Sequence, residues 1–135
     1  MRTGNKGTRY CLKGRIGLSK KETAIRKVLD KTLASKILRT VRYHEGFLFY
    51  KAPGDYTGKN VMNLKDFAKI LGVVDVQSVD FHFGRGDFRR WIQIILGDVE
   101  LSSRINRIPK DTRGEKLRSY LIITVNERIV ELKKV

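Results

Sequence analysis

Apolar residues in this chain recur mostly at intervals of three and four, the spacing that gathers side chains on one face of a helix. Ser19-Lys20-Lys21-Glu22 fits a capping box, and Ile25, Val28, Leu29, Thr32, Leu33, Ile37 and Leu38 then make one face of residues 20–39 apolar. Asn63 caps a short helix that turns Leu64, Phe67, Ile70 and Leu71 inward and stops at Gly72. Residues 75–83 fit two patterns. Val79, Phe81 and Phe83 alternate as in a strand, whereas Asp75 as a cap with Val76, Val79 and Phe83 on one side favours the helix adopted here. Gly84 and Gly86 break the chain, and Asp87 is placed to cap a helix carrying Phe88, Trp91, Ile92, Ile95 and Leu96 up to Gly97. Asp98 caps the next helix, with Val99, Leu101, Ile105 and Ile108 inward, until Pro109. From Glu115, Leu117, Leu121, Val125, Ile129 and Leu132 predict a closing helix of about 18 residues.

Two segments interrupt this helical pattern. Val41–Tyr50 is rich in aromatic and β-branched residues and reads as a short strand, and the turn-rich stretch Pro53–Gly58 separates it from the helix after Asn63. The first 18 residues hold Gly4, Gly7, Gly14 and Gly17 and no acid, and are expected to form an extended basic tail. The expectation is therefore a mainly α fold: a flexible tail over 1–18, then one compact helical domain over 19–135 with about five helices and a short strand.

Charge sharpens the picture. The 135 residues carry 29 Lys plus Arg and 14 Asp plus Glu, a net +15. Residues 1–42 account for 13 basic and 2 acidic residues, so +11 of that excess lies in the first third. A polyanionic partner follows. Arg2, Lys6, Arg9, Lys13 and Arg15 of the tail are set to meet phosphates, with Tyr10 available to stack on a base. Lys20, Lys21, Arg26, Lys27, Lys31, Lys36, Arg39 and Arg42 would continue this rail along and just beyond the first helix. Arg85, Arg89 and Arg90 flank a glycine turn and a helix start, where positive charge opposes the helix dipole. Either an RNA phosphate or an internal carboxylate would compensate them.

Catalytic chemistry is sparse. One cysteine and two histidines fall at no zinc-ligand spacing, no phosphate-binding glycine loop occurs, and neither a cofactor nor a metal is expected. Asp80, Asp87 and Asp98 are read as caps or surface groups, and no enzymatic activity is expected. His82 is placed in a hydrogen bond within the core and Trp91 against Phe88, in preference to roles in binding phosphate or stacking on a base. No run of 18 apolar residues and no secretory signal is found, so a cytoplasmic protein without a membrane partner is expected.

Phe47-Leu48-Phe49-Tyr50, Asp55-Tyr56-Thr57-Gly58, Asn63–Ala68, Ser78–Phe83, Arg85-Gly86-Asp87-Phe88 with Trp91, and Leu96-Gly97-Asp98 together resemble an uncharacterised small domain family of archaea over roughly residues 45–130. The resemblance implies helical organisation and an archaeal origin, and it transfers no activity. In its charge the chain is similar to the lineage-specific basic proteins of archaeal ribosomes. The functional expectation is an RNA-binding, structural ribosomal protein, monomeric within its assembly, contacting rRNA and neighbouring ribosomal proteins. A chromatin protein binding DNA without sequence preference and a helical protein-interaction adaptor are the alternatives.

Overall fold

The computed structural model describes residues 30–135. The tail over 1–18, the Ser19 capping box and the early turns of the first helix lie outside them. The described chain enters in a helix, α1, over residues 30–38. A single 3₁₀ turn, Tyr43–Glu45, leads into a hairpin of β1 (Phe47–Tyr50) and β2 (Tyr56–Val61). Helices α2 (Leu64–Leu71) and α3 (Val76–Arg85) follow, then α4 (Asp87–Arg90), which runs on as a π-helical stretch over Trp91–Leu96. Helices α5 (Val99–Asn106) and α6 (Gly114–Lys133) close the chain. The mainly α expectation holds, with six helices among the described residues.

Three of the predicted caps form. Asn63 Oδ1 accepts from the Asp66 amide at 2.8 Å, Asp75 Oδ1 from Gln77 at 2.8 Å, and Asp98 Oδ1 from Leu101 at 3.1 Å. Asp80 caps at a distance: from α3 its Oδ1 accepts the Gly114 amide at the start of α6, at 2.8 Å. Helix α6 packs on α2, α3 and α5, so it is the central element of the helical layer. Its Leu117, Leu121, Val125, Ile129 and Leu132 are buried, as their spacing predicts.

Five expectations need correction. The strand is shorter than Val41–Tyr50 and has an antiparallel partner, β2, in the stretch read as a turn leading to the next helix; the register pairs Phe47 with Val61 and Phe49 with Lys59. In β2 only Val61 is buried, so no period of two marks it. Gly84 lies within α3, and Gly86 alone ends that helix, in a left-handed conformation with φ +76°. Asp87 is the first residue of α4 and makes no cap; the bend at Gly86 turns its carboxylate back toward α3. Trp91 packs on Phe67 and Phe47, with centroids 5.5 and 5.8 Å away, and its Nε1–H donates to Glu45 O at 2.8 Å. Finally, Leu33, Thr32 and Val99 face outward, and α1 is fixed instead through buried Ala34 and Ile37.

The hairpin and helices meet in an aromatic centre. Phe47 contacts Phe49, Phe67, Phe88 and His82 edge-on or tilted, at centroid distances of 4.8–6.0 Å. Gly46 permits this approach, because a Cβ there would lie 2.7 Å from Val61 O.

Candidate functional site

Where β1 meets α3, the sequence Phe81-His82-Phe83-Gly84-Arg85-Gly86-Asp87 folds into one connected polar group. His82 Nδ1 is 2.8 Å from Asp87 Oδ2, and the Tyr50 amide donates to His82 Nε2 at 2.8 Å. Nε2 must then be the acceptor and Nδ1 carry the proton, which fixes the imidazole as a neutral tautomer between helix and strand. Burial pushes the His82 pKa below its ordinary value, and the hydrogen bond that its Nδ1–H donates to Asp87 pulls it only partly back. Asp87 also accepts from Arg85 Nε at 3.0 Å and from Arg90. With His82 it collects three donors on a carboxylate only 16% exposed. The choice left open for Arg85 and Arg90 thus includes an internal carboxylate for both. Arg89 makes no ion pair among the described residues and lies half-buried against Gly86.

Beside this group a groove of about 480 Å³ opens between the hairpin and α3. Leu48, Tyr50 and the turn Ala52-Pro53-Gly54 form one wall, Phe81 and Arg85 the other, and His82 lies between them. The Arg85 guanidinium carbon is 5.1 Å from the centroid of the Phe81 ring. Phe49 O faces β2, where it accepts from Thr57 Oγ1, so strand alternation turns the main-chain groups of neighbouring Leu48 away from β2, to the side on which the Tyr50 amide meets His82.

The predicted phosphate-binding residues separate by chemistry. Lys31 and Lys36 are exposed on α1. Arg39 instead donates to Ile95 O at 2.8 Å and to Lys36 O at 2.6 Å, closing the end of the π-helical stretch. Arg42 is exposed, 3.9 Å from Glu45. Arg2, Lys6, Arg9, Tyr10, Lys13, Arg15, Lys20, Lys21, Arg26 and Lys27 lie outside the described residues. In the later helices, Arg104 binds Glu100 and Glu131, Arg128 binds Asp98 and Glu131, and Arg118 binds Glu115. Hydrogen bonds from Arg104 hold the Glu131 carboxyl down to about 2 and lower that of Glu100.

No lysine makes an ion pair among the described residues. Exposed Lys59, Lys65, Lys69, Lys110, Lys116, Lys133 and Lys134 therefore join Lys31 and Lys36 as uncompensated cations that sequence reasoning did not single out. The signal was residue type: arginine, with its planar fork, was used internally and lysine was left to solvent.

Among the described residues, no three His, Cys, Asp or Glu side chains are placed to hold a metal ion, and no helix is long and apolar enough to cross a membrane. No curated protein and no solved structure matches the chain. One family model does, over residues 18–126, and that span takes in the hairpin, the groove and the Asp87 group: the chain belongs to the family of unknown function DUF5752.

Proposed function

We propose that this protein is an RNA-binding component of a ribonucleoprotein particle, most simply the ribosome, and that it carries out no chemical step. The observation that carries the reading is the division of its positive charge. Residues 1–29 hold nine basic and one acidic residue, and residues 30–135 hold twenty and thirteen, giving +8 and +7. In the described part most arginines are closed on carboxylates or carbonyls, so the excess is presented by lysines, compact charges suited to phosphate contact without base reading. Five of those nine basic residues, and no acid, lie in residues 1–17, outside the family match. Against catalysis, the one buried histidine in the described residues is engaged at both ring nitrogens and has no lone pair left for a substrate proton.

Filter binding of the full chain to structured rRNA over a range of salt tests the reading. With six phosphates neutralised, log K is expected to fall against log salt with a slope of roughly −4 to −5. Salt-insensitive binding, or tighter binding to duplex DNA than to folded RNA at the same salt, would overturn it. A second reading, a helical adaptor for an acidic protein, draws on exposed Tyr120, Ile123 and Val130 along α6. Sedimentation after nuclease treatment separates the two. Release from the particle supports RNA, and unchanged co-migration with one acidic protein supports the adaptor.

A further inference from the structure

We infer that the groove between β1 and α3 takes one unpaired nucleotide, with the base lying between the hairpin and Phe81 and a flanking phosphate on Arg85. The inference rests on the RNA-binding reading above and specifies what RNA must offer: a base free of its partner. Four observations converge. The volume, about 480 Å³, lies in the range of roughly 300–1,000 Å³ typical of small-ligand sites. The walls supply two half-buried aromatic rings, Tyr50 and Phe81, together with Leu48 and Pro53, and stacking on such surfaces is indifferent to base identity. Arg85 is held in advance by Phe81 beneath it and by its Nε–H to Asp87, while its terminal nitrogens make no hydrogen bond among the described residues. A guanidinium so fixed loses little freedom on meeting a phosphate.

The fourth observation is the strand edge. Leu48 offers an adjacent main-chain donor and acceptor toward the groove, and every base carries a neighbouring donor and acceptor on its Watson–Crick edge. In a duplex that edge is already used. The pair therefore distinguishes unpaired from paired bases without selecting among the four. An extended peptide is the rival occupant, but strand addition needs a run of free main-chain groups. Here the Tyr50 amide is taken by His82, leaving Leu48 as the one outward residue in the interior of a four-residue strand.

The full chain, Phe81→Ala and Ala52→Trp are titrated with a single-stranded oligouridylate carrying one 2-aminopurine and with an RNA duplex of equal length. Ala52→Trp fills the groove from the hairpin turn without removing a core side chain, so it keeps the test valid if Phe81→Ala fails to fold. The wild type is expected to quench the 2-aminopurine and to bind the single strand about tenfold more tightly than the duplex. Each variant should lose that tenfold advantage and the quenching while its salt slope stays unchanged. Equal affinity for both RNAs, or variants that bind like the wild type, would overturn the inference and leave the RNA reading standing. Absence of binding to either RNA overturns both. An apolar peptide that binds more tightly than the oligonucleotide, and loses its site in Ala52→Trp, would assign the groove to a protein and overturn the nucleotide proposal.

Discussion

His82 and Asp87 show how one residue pair joins two elements and sets a pH dependence. The folded imidazole is neutral, since a proton on Nε2 would face the Tyr50 N–H and break that bond. Its pKa is lowered in the folded state, so between that lowered value and about 6.5 the unfolded chain binds a proton that the folded chain refuses. Stability is expected to fall as pH drops through this window and to level off below it. Glu131 and Glu100, held down by Arg104, stay ionised there and add their own loss only at lower pH. Thermal melts across mildly acidic pH check the sign, and a melting temperature that rises on acidification would contradict it. The residue types alone showed that His82 would be hydrogen-bonded inside the core. They did not show that Asp87 is its partner, because Asp87 follows a glycine and precedes a helix, the sequence signature of a cap. The left-handed turn at Gly86, φ +76°, decides otherwise by turning the carboxylate back toward α3.

At the scale of elements, caps and stops were legible because each is a local exchange between one side chain and amides two or three residues away: Asn63, Asp75 and Asp98 were visible in sequence for that reason. Strand β2 was not. Its Thr57, Gly58 and Asn60 are turn formers, and its pairing with β1 comes from an interrupted register in which Thr57 Oγ1 donates to Phe49 O at 2.7 Å. Long-range ties were equally hidden, and the most buried of the ion pairs among the described residues joins the start of α5 to α6. Asp98 is 1% exposed, and its two oxygens receive Arg128 Nε at 2.9 Å and Nη2 at 3.0 Å, besides the Leu101 amide. Arg128→Met keeps the apolar stem and leaves this carboxylate buried without its counter-charge. A loss of about 3–5 kcal/mol in urea unfolding is expected. Restoring most of it with Asp98→Asn in the same chain would show that the uncompensated charge, rather than lost packing, is the cause. A single variant within about 0.5 kcal/mol of the wild type would show that the pair carries no such burden.

For the whole molecule, total charge could be read from composition, whereas its availability could not. Ion pairs such as Arg104 with Glu131 and backbone ties such as Arg39 with Ile95 O join residues far apart in sequence, so the described part of the predicted basic rail mixes solvent-facing Lys31, Lys36 and Arg42 with a structural Arg39. A protein with this division should show it in its salt dependence. Changing Arg2, Lys6, Arg9, Lys13 and Arg15 together to Gln removes five cations and should reduce the magnitude of the RNA-binding slope by up to about 3.5–4.5. Changing Lys59, Lys65 and Lys69 removes three exposed, uncompensated charges of the body, with an expected reduction of up to roughly 2–2.7. Arg104→Gln removes one formal charge that Glu100 and Glu131 already enclose, and the slope should stay within error of the wild type. Filter binding of all four proteins to one RNA over the same salt series measures the three effects directly. If Arg104→Gln lowers the slope as much per charge as the lysine changes do, exposure to phosphate does not follow the ion-pair pattern. If the five-residue variant leaves the slope untouched, phosphate contact belongs to the body alone.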